Sequence, residues 1–382
     1  MRVAVVHDWL TGNRGGEKVL AEILDFFPGA VVFTLFHFPG SVPASIEAHE
    51  IRTTFLQGLV SAGRDYRSLL PLFPVAAETW DLSGFDLVLS TSHCVAKNAR
   101  APSGAFHISY VHTPVRYLHD LFDAYFEGRS PLAKGAARLA RAPLAAWDVR
   151  TAARPDALLA NSAHVAGRIR RLWNRPSEVV PPPVDTGFYT YAPRAGRSEG
   201  LLVVSALVPY KRVSDAVVAA GLLGLPLTIA GKGPEEPRLR RLAGPSVRFA
   251  GSPPDEGLRD LYRSAEAVLM PGEEDFGIVP VEAQACGTPV VAFGRGGALE
   301  TVWDGTTGVL YPQEGPEALA DAVRRLRSLE LDPAAAVAGA DRFSRAAFRA
   351  RFLRAADRAL RASGRVAIAR ALPPATIEAG SP

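Results

Sequence analysis

VLMPGEEDFGIVPVEAQACGTPVVAF, residues 268–293, runs from an apolar stretch through three acidic residues into a helix-like segment and back to an apolar stretch. Strand, loop, helix, strand is the repeating piece of a parallel sheet. The first strand ends near Met270, and Gly272 and Gly277 permit tight turns after it. Pro280 suits the first helical position, which puts Glu282 in the first turn and Gly287 just past the last. On one continuous helix Glu274 and Glu282 would point about 80° apart. With a loop between them they can face one cleft from different elements. A carboxylate near a helix N-terminus also complements the helix dipole, so a purely structural reading of Glu282 stands beside a functional one.

The same rhythm extends in both directions. VAVVH (3–7) precedes a glycine-rich turn and the helical GEKVLAEILDFF, and AVVFTLF, FDLVLSTS, AFHISYVH and DALLANS follow as strands. VVPPPVD (179–185) cannot be helical, because its prolines lack amide donors, and it reads as the extended close of a first domain. LLVVSAL (201–207) restarts the alternation, continued by LTIAGKG, SVRFAGS, AEAVLMPG, PVVAFG and TGVLYP. Two doubly wound parallel sheets are expected, with ligands at the carboxyl ends of the strands. The domains are expected at 1–190 and 191–362, the last helix returning to the first domain, with a flexible tail over 363–382.

At 382 residues the chain exceeds one ordinary core. Two cysteines, Cys94 and Cys286, give no disulfide scaffold, and the start lacks a secretory apolar region, so a cytoplasmic location is expected. No apolar run reaches transmembrane length. The net charge is only +4, but Arg129, Lys134, Arg138, Arg141, Arg150 and Arg154 face a single acid, Asp148. Three readings of this segment are open: a solvated helix pair, a face on anionic lipid at the inner side of the plasma membrane, and nucleic-acid binding. The last is disfavoured for want of an aromatic platform, and no nucleic-acid partner is expected. GNRGGEK and AGKG miss the dinucleotide and Walker A patterns. His107 and His112 lack the further ligands of a zinc site.

Glu274-Asp-Phe-Gly-Ile-Val-Pro-Val-Glu282 resembles the E-x7-E signature of retaining glycosyltransferases of the group 1 type, family GT4. SALVPYKR (205–212), AGKGPE (230–235) and CGTPVVAFGRGGALETV (286–302) resemble further blocks in the order of that family. So do GNRGGEKVL (12–20), ISYVHTPVRYLHD (108–120) and LLANSAHVAGRIRRLWNRPSEVVPPPVD (158–185). The resemblance covers roughly residues 1–360 and implies the GT-B fold, two Rossmann-like domains facing a central cleft.

It also implies roles. Glu282 would hold the donor ribose, Glu274 would lie beside the transferred sugar, and Lys211 would bind the leaving diphosphate. Phe276, Gly277 and Ile278 would offer backbone donors to the sugar. Gly15 and Gly16 would approach the diphosphate, and His112 would contact the hexose. Where the family places an arginine in G-R-L, this chain reads Ser205-Ala206-Leu207, so Arg212 or Arg14 is expected to supply the charge. Arg116, Tyr117 and Asp120 are expected to shape the acceptor side. HTPVRY followed by Asp120 resembles the mannosyl-transferring branch. The implied activity is transfer of mannose from GDP-mannose to a glycan or lipid-linked glycan in cell-surface polysaccharide assembly. A UDP- or ADP-hexose donor with a small or sugar-phosphate acceptor is the alternative, and a silent nucleotide-sugar sensor a third. No cofactor is implied, the nucleotide sugar being a substrate, and no Asp-x-Asp metal anchor is present.

Overall fold

The structure, a computed structural model, describes residues 1–60, 66–120, 122–125, 131–193 and 200–375. The chain divides into two compact units, Met1–Pro183 with Phe348–Pro382, and Val184–Ala347. The boundaries expected at 190 and 362 therefore fall at 183 and 347.

In the first unit, β1 (Val3–His7), β2 (Val31–Thr34), β3 (Ile51–Thr53), β4 (Leu87–Ser92), β5 (Phe106–Val111), β6 (Ala157–Ala160) and β7 (Glu178–Val179) form one sheet. Its order is β3-β2-β1-β4-β5-β6-β7 and every pairing is parallel. Strands β1, β4 and β5 are buried along their whole length, which is why they read as continuous apolar runs. The edge strands β3 and β7 carry no such signal. Residues Arg52, Thr53, Glu178 and Val179 are all exposed.

The helix Arg345–Ala362 completes this unit's core. Phe348, Phe352 and Leu353 are buried in one cluster with Leu20, Phe26 and Val5, and the Phe348 ring lies 6.1 Å from Phe26 and 5.9 Å from Tyr110. Beyond it, Val366–Arg370 forms a further short helix with Ala369 buried in the same cluster, where a flexible tail was expected. The rest of that expected tail, 376–382, lies outside the described residues.

The basic segment is one helix, Pro131–Thr151, with Pro143 inside it, rather than a pair. Much of its charge is used locally. Lys134 and Arg138 pair with Asp123 at 3.1 and 3.3 Å. Arg141 donates to the carbonyls of Leu118 and His119, and Arg154 to Glu78 and the Asn98 carbonyl. Arg129 lies outside the described residues. The helix is tied down by the fully buried Asp148. Its carboxylate accepts from Lys97 Nζ at 2.6 Å and from Trp173 Nε1 at 3.0 Å, and it meets His119 Nε2 at 2.9 Å. Burial opposes ionisation of Asp148, but Lys97 and His119 outweigh it and hold the carboxyl below the ordinary range.

In the second unit, β8 (Leu201–Val204), β9 (Leu227–Ala230), β10 (Val247–Gly251), β11 (Ala267–Met270), β12 (Val290–Phe293) and β13 (Gly308–Tyr311) form a sheet ordered β10-β9-β8-β11-β12-β13, again all parallel. Each sheet reverses its strand order once, at β1/β4 and at β8/β11. Among the described residues no helix is long and apolar enough to cross a membrane.

Removing the buried partner of Lys97 should destabilise the first unit. Asp148→Ala is expected to lose ~3–5 kcal/mol of unfolding free energy in urea, since it strands a buried cation. The sign with pH follows from the depressed carboxyl. Wild-type stability contributed by Asp148 is present above the ordinary carboxylate range and lost as pH falls through its lowered pKa. The variant should show a flatter acid limb in unfolding curves recorded across pH.

Candidate functional site

The β8/β11 reversal is the place where sheets of this kind usually bind their ligands, in the crevice between the loops leaving the two strands. The loop after β8 carries Lys211, and the loop after β11 carries Glu274. The two side chains form an ion pair, Lys211 Nζ to Glu274 Oε2, with 16% and 21% of their side-chain surface exposed. Two residues 63 positions apart in the chain, read separately from the sequence, thus meet at one point.

Glycines let the neighbouring loops support them from below. Ser205 and Leu207 donate amides to the carbonyls of Ala230 and Lys232, at 3.0 Å each. A methyl group on Gly231 or Gly233 would overlap the Ser205 or Leu207 carbonyl. Gly297 donates its amide to the Glu274 carbonyl at 2.8 Å, and a methyl group there would overlap the Phe276 carbonyl. AGKG and GRGG, neither of which is a phosphate loop by pattern, therefore serve as backbone cradles for the loops that carry Lys211 and Glu274.

Gly277 caps the next helix with φ 90°, a conformation that favours glycine. The helix runs Ile278–Ala285, so it starts two residues before Pro280, the position expected from the sequence. The first-turn amides beginning at Ile278 open toward the loop that carries Glu274. Phe276 is buried against Phe343, ring centroids 5.2 Å apart. Glu282 is 3% exposed and accepts a hydrogen bond from Tyr262 Oη at 2.8 Å. Burial, then the Glu282 charge, raises the Tyr262 phenol well above its ordinary range, so it remains a donor.

Arg212 does not stand free beside Lys211. It adopts φ 53°, rare for a side-chain-bearing residue, and its guanidinium binds Asp215 at 2.8 Å and Glu314 at 2.5 Å. Two carboxylates already neutralise it, which weakens its expected part as replacement for the arginine absent at Ala206.

In the first unit the β1/β4 reversal places Asp8 at the centre. Fully buried, it accepts four backbone amides, from His93, Cys94, Val95 and Ala96, at 2.6–2.9 Å, and meets His93 Nδ1 at 3.1 Å. Next to it, Gly15 and Gly16 open the helix Gly15–Phe26, and Arg14 is its exposed N-cap, whose amide donates to Glu17 Oε2 at 3.0 Å. His112, just past β5, is half-buried, and a methyl group on Gly16 would lie 3.7 Å from its Nε2. Burial, His93 and His7 lower the His112 pKa to about 3, against a smaller opposing pull from Asp8.

Three further residues expected on the acceptor side go to separate places. Tyr117 Oη meets Cys94 Sγ at 3.2 Å, Asp120 pairs with the buried Arg168, and Arg116 begins a one-turn helix, half-buried. The sequence reading missed His7, Asp8, Thr91, His93 and Tyr262. Among the described residues no group of three or more His, Cys, Asp or Glu is placed to hold a metal ion.

Residues 14–188 match the family described as Glycosyltransferase Family 4, and residues 193–343 the one described as Glycosyl transferases group 1. The chain belongs to glycosyltransferase family 4. A D-inositol 3-phosphate glycosyltransferase of Kribbella flavida is 45% identical over 111 residues, 27% of this chain and 26% of that protein. The chain thus spans about a quarter of the length of that relative. Among solved structures, sucrose-phosphate synthase from Thermosynechococcus elongatus matches 98% of this chain and 100% of its own, at 18% identity and TM-score 0.67. Anabaena HepE in complex with UDP-glucose matches 91% and 97%, at 18% identity and TM-score 0.66. At that identity the likeness establishes the fold, which is GT-B: two Rossmann-like units of parallel sheet flanked by helices.

The Lys211–Glu274 pair makes a prediction about ligand binding. Glu274→Gln releases Lys211 from its carboxylate and should tighten binding of a free nucleoside diphosphate, by roughly 3- to 10-fold for one partly exposed pair. Calorimetric titration of UDP and GDP into both forms measures it. Weaker binding in the glutamine variant would show that Glu274 does not compete with the ligand for Lys211.

Proposed function

We propose that this protein is a retaining glycosyltransferase that moves a hexose from a nucleotide sugar to a small polyol or sugar-phosphate acceptor. The observation that carries the reading is the meeting of Lys211 and Glu274 at the β8/β11 reversal, with Glu282 buried in the helix that follows the Glu274 loop. The pair supplies what the chemistry needs at one place. A cation stabilises the charge that develops on a departing diphosphate, and a carboxylate lies beside the reacting sugar. Glu282, oriented by Tyr262, would accept two ribose hydroxyls, a fixed handle common to every sugar nucleotide. The acceptor hydroxyl would attack from the face the diphosphate leaves, and a phosphate oxygen would take its proton. Glu274 serves as an electrostatic and positioning group in this scheme.

The acceptor class follows the family-4 relatives, whose name specifies inositol 3-phosphate as theirs. Their name favours the small-acceptor alternative over a lipid-linked glycan; the UDP- or ADP-hexose donor is carried with that alternative. The mannosyl reading rests on HTPVRY followed by Asp120. Contact with an anionic membrane finds less support, because Lys134, Arg138, Arg141 and Arg154 are engaged within their own unit.

Two variants test the roles. Glu282→Ala should fold and bind nucleoside diphosphate weakly, and Lys211→Ala should lose rate at saturating donor, because its contact strengthens as charge develops. Purified protein with UDP-glucose, ADP-glucose and GDP-mannose, each with inositol phosphate as acceptor, reads nucleotide release and product together. The product anomer, assigned by NMR, should match the donor. An inverted product would overturn the retaining mechanism, and specific donor binding with no turnover would favour the sensor.

A further inference from the structure

Three buried histidine nitrogens of the first unit, on His7, His107 and His112, have no hydrogen-bond partner among the described residues, and the rings of His7 and His112 lie at one glycine. His7 is fully buried at the end of β1, and its Nε2 has no hydrogen-bond partner; the same holds for Nε2 of His112. A methyl group on Gly16 would lie 3.5 Å from His7 Cε1 and 3.7 Å from His112 Nε2. The absent side chain of Gly16 is what keeps this space open. Gly16 occupies the second position of the helix Gly15–Phe26, where an amide N–H has no intrahelical carbonyl to bond.

The other ring nitrogen of His7 decides what the free one offers. Nδ1 lies 2.5 Å from Thr91 Oγ1. Burial and His93 lower the His7 pKa to about 3, while a hydrogen bond to the Thr91 backbone favours a proton on the ring. A neutral ring that gives its Nδ1 proton to Thr91 presents a lone pair at Nε2. A lone pair repels phosphate oxygens, so this spot does not suit an anion. Beside an amide that the helix itself leaves without a carbonyl, it suits a hydroxyl, which is both acceptor and donor.

We infer that His7 and Gly16 form a hydroxyl-binding pair, the Gly16 amide donating to the oxygen of a sugar or polyol hydroxyl and His7 Nε2 accepting its proton. The inference rests on the glycosyl-transfer reading and adds a positioning residue to it. It also changes what Gly16 touches, from the diphosphate expected by resemblance to a carbon-borne hydroxyl. The hydroxyl can belong to the transferred hexose or to the acceptor, and each source has its own signature.

Imidazole nitrogen NMR of the intact wild-type protein tests it directly. His7 Nε2 should resonate as a nitrogen without a proton, and it should move on saturation with UDP-glucose if the hexose binds there, or with myo-inositol if the acceptor does. A protonated Nε2, or one that shifts with inorganic pyrophosphate and with neither sugar nor polyol, would overturn the proposal. His7→Asn retains a nitrogen near the Nδ1 position and removes Nε2. It should raise KM for the responding substrate roughly 3- to 10-fold, the worth of one neutral hydrogen bond. His7→Gln, which reaches the Nε2 position, should recover part of that loss. The analogue deoxygenated at the bound position should penalise wild type and leave His7→Asn unchanged. Unaltered kinetics in a folded His7→Asn, with wild type active, would overturn the role of His7 while leaving glycosyl transfer standing. Absence of nucleotide release from every donor, with Nε2 still moved by myo-inositol, would instead overturn glycosyl transfer and leave a polyol-binding site.

Discussion

A parallel sheet that reverses its strand order leaves a gap between the two loops at the reversal, and nothing in the sheet fills it. Backbone amides and carbonyls in that gap must find partners elsewhere or remain for a ligand. This protein meets the requirement differently in its two units. In the second, glycines from the β9 and β12 loops bring bare backbone against the loops after β8 and β11, and the remaining gap holds the Lys211–Glu274 pair. In the first, one buried carboxylate, Asp8, takes four amides of the loop after β4 and so shapes the ground on which His93, His112 and Gly16 meet.

The second unit's solution spends conformational freedom. Gly277 and Arg212 hold left-handed backbone beside the crevice, and Arg212 does so without the freedom of a glycine. Its side chain is secured by Asp215 and Glu314, so Lys211 is the cation left facing Glu274. That division of labour between adjacent basic residues is invisible in the tripeptide Tyr-Lys-Arg.

Much of the architecture was legible because most of its strands are buried, the half-exposed edge strand β10 being the exception among those read. Eleven strands stood out as short apolar runs, whereas β3 and β7, short and exposed at a sheet edge, carried no pattern to read. Of the site, Glu274, Glu282, Lys211, Gly16 and His112 were singled out by motif, and the structure brings Lys211 to Glu274 and Gly16 to His112. The rest was hidden by distance along the chain. His7 and Thr91 are 84 residues apart, and Tyr262 donates to a glutamate 20 residues on, so neither partner marks the other locally. Tyr117 and Asp120 sit within a motif but spend their polar atoms on Cys94 and Arg168, bonds that only packing reveals.

The first unit is assembled from the two ends of its chain, and this orders events during synthesis. A ribosome must complete all of Val184–Ala347 before Phe348, Phe352 and Leu353 emerge to close the cluster around Phe26 and Leu20. Until then the amino-terminal part of that cluster lacks the side chains that complete it. The second unit, contiguous in sequence, has its whole core available while the first still waits.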